Sequence, residues 1–252
     1  MIDCFSLDNK LVLVTGASSG IGRQCAIDCS RYGASLVLIG RDESRLNETL
    51  NACEGKGHLV YTYDLDNLSG IQKLIEEIVK SAGKLDGFIH AAGIEKSGPL
   101  KLLKPQDYED VYRVNVLSAM EIIRHFCHIN NHNINSKIVL ISSISGVIGR
   151  SGVAAYTASK GALISVVRSM AIELASKKIN INCISPGTII TPMMEKRLSE
   201  MSEESRLKRL EGFPLGLGKT TDVSYSSIFL LSEAARWITG QNLIIDGGYT
   251  AK

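Results

Sequence analysis

Tyr156 and Lys160 stand four residues apart in Val153-Ala-Ala-Tyr-Thr-Ala-Ser-Lys160, just over one helical turn, so both side chains project from one helix face. Thirteen residues before Tyr156, Ser143 closes the apolar strand-like run Ile138-Val-Leu-Ile-Ser-Ser143. A phenol, an ammonium and a hydroxyl that meet in space can polarise a carbonyl and pass it a proton. A free phenol ionises near ~10, and a fixed cation beside it favours the phenolate. The Tyr/Lys spacing alone is a weak signal, because chance pairs on solvated helices share it. Its weight comes from the elements that must hold it.

The first of these is Lys10-Leu-Val-Leu-Val-Thr-Gly-Ala-Ser-Ser-Gly-Ile-Gly22. A short apolar run reads as a buried parallel strand, and a glycine-rich turn then opens a helix. Gly16 permits the tight turn, Gly20 a close approach of backbone to a pyrophosphate, and Gly22 close packing of helix on strand. Free N–H groups and the dipole at the helix start attract phosphate. The spacing is G-x-x-x-G-x-G, not the commoner G-x-G-x-x-G, and an ordinary strand-to-helix turn is the competing reading.

Taken in order, Thr15-Gly-Ala-Ser-Ser-Gly-Ile-Gly22, Asp64-Leu65, Asn115, Ser143, Tyr156, Lys160, Pro186-Gly-Thr-Ile-Ile-Thr191 and Ile238-Thr-Gly-Gln-Asn-Leu-Ile-Ile-Asp-Gly-Gly248 resemble the short-chain dehydrogenase/reductase family. The resemblance covers nearly the whole chain and is nearest the 3-oxoacyl-carrier-protein reductases and their sugar- and polyol-reductase relatives. It implies one NAD(P)-binding domain over 1–252, acting on a small carbonyl or alcohol substrate. Asn115, Ser143, Tyr156 and Lys160 would be catalytic: Ser143 holds the developing oxyanion, Tyr156 moves the proton, Lys160 acidifies Tyr156 and fixes the nicotinamide ribose, and Asn115 positions a relay water. Cofactor contacts would come from Gly16, Ser18, Ser19, Gly20, Ile21, Gly22, Arg41, Asp64, Leu65, Ala92 and Gly93. Tyr156, Lys160, Pro186, Gly187, Ile189 and Thr191 would complete them. A substrate lid is expected at about 192–214, with Met193, Met194, Met201 and Phe213 as an apolar wall; if it does not close, specificity falls to 94–100 and 145–153. Relatives also imply a homotetramer or homodimer, built on the long helices and the C-terminal strand. A nucleotide-sensing protein on the same scaffold is a third reading, disfavoured because sensing needs no proton relay.

Two features depart from the family pattern or refine it. Phe88-Ile-His-Ala-Ala-Gly93 stands where the family usually has Asn-Asn-Ala-Gly, so His90 reads as a hydrogen-bonded core histidine. At the end of the second strand, where NAD-binding relatives usually place an acid, Gly40 is followed by Arg41. A guanidinium pairs with a 2′-phosphate that an acid would repel, so NADP(H) is expected over NAD(H). Against this, Ser19 replaces the basic residue of many NADP-using glycine loops, and Arg41 can also be read as a surface arginine paired with Asp42 or Glu43. Asp42 itself reads as the cap of the next helix.

The 252 residues, 44% hydrophobic, suffice for a large core in a single α/β domain. A net charge of +2 gives no electrostatic case for nucleic acid or an anionic membrane. No apolar run is long enough to span a bilayer, no charged-then-apolar leader is visible, and the six cysteines form no C-x-x-C, so a reduced, cytoplasmic protein is expected. Cys25 and Cys29 read as core residues. His125, His128 and His132 have helix-like spacing but Asn-rich surroundings, and no metal site is expected. Strand candidates recur at 11–15, 35–39, 58–63, 86–90, 138–142, 180–184 and 242–246, with helical patterns at 21–32, 67–82, 105–129, 153–176 and 220–234. This alternation predicts a Rossmann-type doubly wound parallel sheet of about seven strands, helices on both faces, and a crevice beyond the strands' carboxyl ends.

Overall fold

The computed structural model describes residues 3–204 and 211–251. Seven parallel strands form one sheet: β1 (Leu11–Thr15), β2 (Ser35–Gly40), β3 (Leu59–Thr62), β4 (Leu85–His90), β5 (His132–Ile141), β6 (Asn180–Pro186) and, last in the chain, β9 (Asn242–Ile245). Their order is β3-β2-β1-β4-β5-β6-β9. The chain winds outward from β1 in one direction, returns, and winds outward from β4 in the other. The switch lies between β1 and β4, where an open α/β sheet leaves its crevice.

Side-chain alternation explains why helices cover both faces. Leu13 and Phe88 point to one side, where they pack with α3 (Ile71–Ala82), α5 (Ser118–Phe126) and α6 (Ala154–Ala175). Val12, Val14, Leu36 and Leu38 point to the other, against α1 (Gly20–Arg31), α2 (Glu43–Ala52) and the late helix Thr220–Leu231. Cys25 and Cys29 are fully buried in this second layer, and burial pushes the Cys25 thiol up to about 12, so packing is their role.

The strand ends are in register. Thr15 pairs with Ile39 and His90, His90 with Leu140, and Ile141 with Ile184. Every loop after a strand therefore leaves from one edge.

Four local features differ from expectation. The helix α2 was marked only by its cap: the Asp42 carboxylate accepts from the Arg45 backbone N–H at 3.0 Å. The expected helix 105–129 is broken into α4 (Pro105–Tyr112), one π-turn (Arg113–Leu117) and α5. In the π-turn the Val114 carbonyl accepts the Ser118 hydroxyl at 2.7 Å. β5 starts six residues early, its extra length meeting β4 at an irregularity between Leu85 and Gly87. A second, two-stranded sheet pairs β7 (Ile189–Ile190) with β8 (Gly218–Lys219). Among the described residues no helix is long and apolar enough to cross a membrane.

Phe126 is fully buried, 6.5 Å from the Phe88 ring and 6.0 Å from His132. Phe126→Ala should therefore cost about 3–5 kcal/mol in equilibrium urea unfolding. A loss below about 1 kcal/mol would mean that this layer tolerates a cavity the packing does not suggest.

Candidate active site

A cavity of about 710 Å³ opens at the carboxyl edge of the sheet, over the β1–β4 switch. All the expected cofactor-binding residues line it: the glycine turn from Gly16 to Gly22, Arg41 after β2, Asp64 and Leu65 after β3, Ala92 and Gly93 after β4, and Pro186, Gly187, Ile189 and Thr191 after β6. Ser143, Tyr156 and Lys160 line it too.

The floor is a set of backbone contacts that side chains would obstruct. Gly16 has φ +68°, and a Cβ there would stand 2.8 Å from the Ala92 nitrogen. A Cβ on Gly22 would collide with the Gly16 carbonyl oxygen. Helix α1 starts over this floor with no acidic residue in its first turn, and its cap residue Ser19 makes no side-chain cap bond. The first amides of the helix thus face the cavity without a competing carboxylate, which suits a pyrophosphate. At the far end, a Cβ on Gly40 would lie 3.3 Å from the Ser18 hydroxyl, so an acidic side chain there would be crowded. Arg41 lines that end together with Arg45, one turn into α2. Among the described residues neither arginine makes an ion pair, with Asp42 and Glu43 included. The residues present fit a dinucleotide.

Ser143, in extended backbone at φ −167°, turns its hydroxyl between the Ser145 N–H, accepted at 3.1 Å, and the Tyr156 phenol. Lys160 is 4% exposed; its ammonium donates to the Ile141 carbonyl at 2.8 Å and lies 5.6 Å from the centre of the Tyr156 ring. Lys160 is not among the groups that shift Tyr156 most. Burial and then Glu95 push Tyr156 up to about 12, opposed by Ser143 and Arg150. Burial pushes Lys160 down to about 8. The ammonium lies near the Tyr156 ring and is bonded to strand β5.

Asn115 does not line the cavity. It is fully buried in the π-turn, where its amide exchanges two bonds with the Ile94 backbone (2.8 and 3.0 Å) and donates to the Ser159 hydroxyl at 3.0 Å. A Cβ on Gly93 would meet both Asn115 Oδ1 at 3.3 Å and Lys160 Nζ at 3.4 Å. Asn115 and Lys160 thus both close in on the position where Gly93 lacks a side chain.

Sequence reasoning missed Arg45 and reached Glu95 and Arg150 only as members of the fallback specificity segments 94–100 and 145–153; all three line the same cavity. Arg45 had a signal, its i+4 spacing from Arg41. Glu95 and Arg150 sit in loops without periodicity, joined where the Gly98 N–H meets the Gly152 carbonyl at 2.8 Å. Of the expected lid, Met194 lines the cavity, while Phe213 is buried against Tyr249 with ring centres 4.5 Å apart. Residues 205–210 and the Met193 side chain lie outside what the structure describes. The three histidines do not converge. His125 faces Glu121, His132 packs on Phe126, and among the described residues no group of three His, Cys, Asp or Glu could hold a metal.

Comparison with known proteins agrees with this geometry. A family model described as enoyl-(acyl carrier protein) reductase matches residues 16–250. Glucose 1-dehydrogenase of Gluconobacter oxydans is 34% identical over 250 residues, 96% of this chain and 92% of its own. A 3-oxoacyl-(acyl-carrier-protein) reductase of Thermotoga maritima is 32% identical over 245 residues, covering 96% and 98%. The crystal structure of a dehydrogenase/reductase from Sinorhizobium meliloti superposes with a TM-score of 0.90 at 26% identity, covering 98% and 97%.

Two outcomes follow from the site alone. Gly22→Ala should abolish dinucleotide binding by calorimetry while circular dichroism stays native, because the new methyl displaces the Gly16 carbonyl; unchanged binding would contradict the close approach. For the cofactor-free protein, the folded state binds fewer protons than the unfolded one between Lys160's value of about 8 and the ordinary lysine value near ~10.4. Thermal stability should therefore gain a contribution as pH rises through that window, and Lys160→Met should remove it. An identical pH profile in the variant would show that Lys160 is not destabilised by burial.

Proposed function

The chain belongs to the short-chain dehydrogenase/reductase family, whose members act on CH–OH and C=O groups with NAD(P), and we propose that it interconverts a ketone and a secondary alcohol with NADP(H) preferred. The observation that carries this reading is the Tyr156 phenol beside the Ser143 hydroxyl, inside the cavity that also holds the glycine turn. A bound nicotinamide would supply or take up the hydride. Ser143 donates to the carbonyl oxygen as negative charge grows there, as an oxyanion donor does. Tyr156, kept protonated by burial, gives that oxygen its proton and recovers one in the reverse direction. Lys160 holds the ribose and replenishes Tyr156, and Asn115 positions Lys160's side of the site through Gly93 and Ser159.

The preference for NADP(H) is supported by Arg41 and Arg45 standing together without acid partners, and by the tight space that Leu46 and Ser18 leave for a side chain at Gly40. For the substrate, the resemblance to 3-oxoacyl-carrier-protein reductases favours an acyl thioester. A sugar or polyol is favoured by Glu95 and Arg150, which act on Tyr156 from the cavity walls and suit hydroxyl groups better than an alkyl chain. The glucose 1-dehydrogenase similarity points the same way. Residues 192–214 act as the lid, with Met194 toward the substrate and Phe213 as its buried foot. Exposed Ile172 and Trp237, with Leu243 and Ile244 on β9, suit burial between copies in a homotetramer or homodimer.

Tyr156→Phe should bind NADPH normally and lose turnover by orders of magnitude with a panel of 3-oxoacyl thioesters and keto-sugars; a near wild-type rate would remove Tyr156 as the acid. Arg41→Ala and Arg45→Ala should each weaken NADPH about ten- to a hundredfold, as expected for one charge-assisted bond, and leave NADH almost untouched. Tighter NADH than NADPH binding by the wild type would end the NADP reading.

A further inference from the structure

His90 ends β4 directly behind the site, is fully buried, and has one nitrogen, Nε2, with no partner that meets hydrogen-bond geometry. Its other nitrogen, Nδ1, lies 3.0 Å from the Thr15 hydroxyl, and that hydroxyl accepts the Ala92 N–H at 3.4 Å. Among the described residues Thr15 has no acceptor for its own proton except Nδ1. The hydroxyl must then donate, and Nδ1 must accept. The remaining proton of a neutral imidazole sits on Nε2, and the carbonyls of Asn115 and Val114 in the π-turn lie against the ring and favour it there. The opposite tautomer would aim a lone pair at those carbonyls and leave the Thr15 hydroxyl unused. A charged ring is excluded by burial and by the nearby Lys160 ammonium, the charged group that faces it.

We propose that His90 is a positioning residue, which in its neutral Nε2–H form joins the end of β1, through the end of β4, to the π-turn that carries Asn115. The chain of contacts runs from the Ala92 amide through Thr15 and the imidazole to the Asn115 and Val114 carbonyls. Ala92 and Gly93 form the cavity wall beside Lys160, and Asn115 flanks Gly93 from behind. The imidazole therefore lies between the two elements that meet at Gly93, the residue Lys160 approaches from α6. A π-turn is a natural place for such a strut, because the added residue leaves carbonyls without their usual i+4 amides. Displacing reacting groups by about an ångström is enough to cost roughly a hundredfold in rate.

The inference rests on the oxidoreductase reading for its kinetic consequence, but the tautomer does not. In ¹⁵N-resolved NMR of the wild-type protein, His90 should show a protonated Nε2 and an unprotonated Nδ1, unchanged from pH 5 to 9; a protonated Nδ1 or a titrating ring would overturn the proposal even if no substrate is ever turned over. Kinetics then separate the strut from mere packing. In His90→Gln the amide reaches the Nε2 position, in His90→Asn only the Nδ1 position, and His90→Phe keeps the ring without either nitrogen. With NADPH affinity within about threefold throughout, kcat should fall least for Gln and about ten- to a hundredfold for Asn and Phe. Phe equal to or better than Gln, or all three alike, would reduce His90 to a space-filling residue. Absence of turnover in the wild type would instead count against the oxidoreductase reading, with the NMR result still deciding the tautomer.

Discussion

The site depends on how closely β1 and β4 can lie at the switch of the sheet. A single methyl on Gly16 would strike the Ala92 amide, and one on Gly22 would strike Gly16's own carbonyl. The crevice exists because backbone, not side chain, fills this seam. Parallel pairing in register then brings the loops after β2, β3, β5 and β6 to the same edge, so residues more than a hundred positions apart face one another across it. Backbone amides at the seam are the right chemistry for phosphate, and the absence of bulk is the right shape for a flat ring.

Against that rigid floor, the reactive groups are set by desolvation more than by pairing. Lys160 is buried with a strand carbonyl as its hydrogen-bond acceptor, and Tyr156 is buried with a hydroxyl beside it. Taking a cation and a phenol out of water moves their pKa values in opposite directions, toward two neutral groups. Glu95 strengthens this for the tyrosine and Arg150 resists it. The tyrosine in this arrangement is a weak acid, held ready with its proton. A ligand that brings positive charge or displaces the Ile141 contact would change the balance most.

Much of this was legible in the sequence, for identifiable reasons. Strands β1 and β2 are continuous apolar runs buried on both faces, and such runs announce themselves. The glycine turn, Ser143, Tyr156 and Lys160 were legible because their spacing is fixed by local geometry, one turn of helix or one strand end. Helix α2 was hidden because Leu46 is the one fully buried large apolar side chain in a polar stretch. The π-turn was hidden because an inserted residue leaves the apolar rhythm of 105–129 nearly intact while rotating Asn115 inward. Glu95 and Arg150 were legible only as parts of two candidate specificity segments, because only the tertiary contact between those loops gives them a common cavity.

The two-residue pairing of β7 with β8 clamps the chain on either side of residues 192–214. A segment tied at both feet can be lengthened at small cost, since loop closure grows only logarithmically with length, by roughly 0.6 kcal/mol per doubling. The clamp therefore divides the protein into a part that must be conserved atom by atom and a part that can be exchanged as a cassette. Variation in this segment beyond Thr191, which itself borders Gly20, can reshape the substrate end without touching the seam at Gly16. For engineering, the pairing marks two points at which a foreign lid could be spliced while the phosphate-binding floor is inherited unchanged.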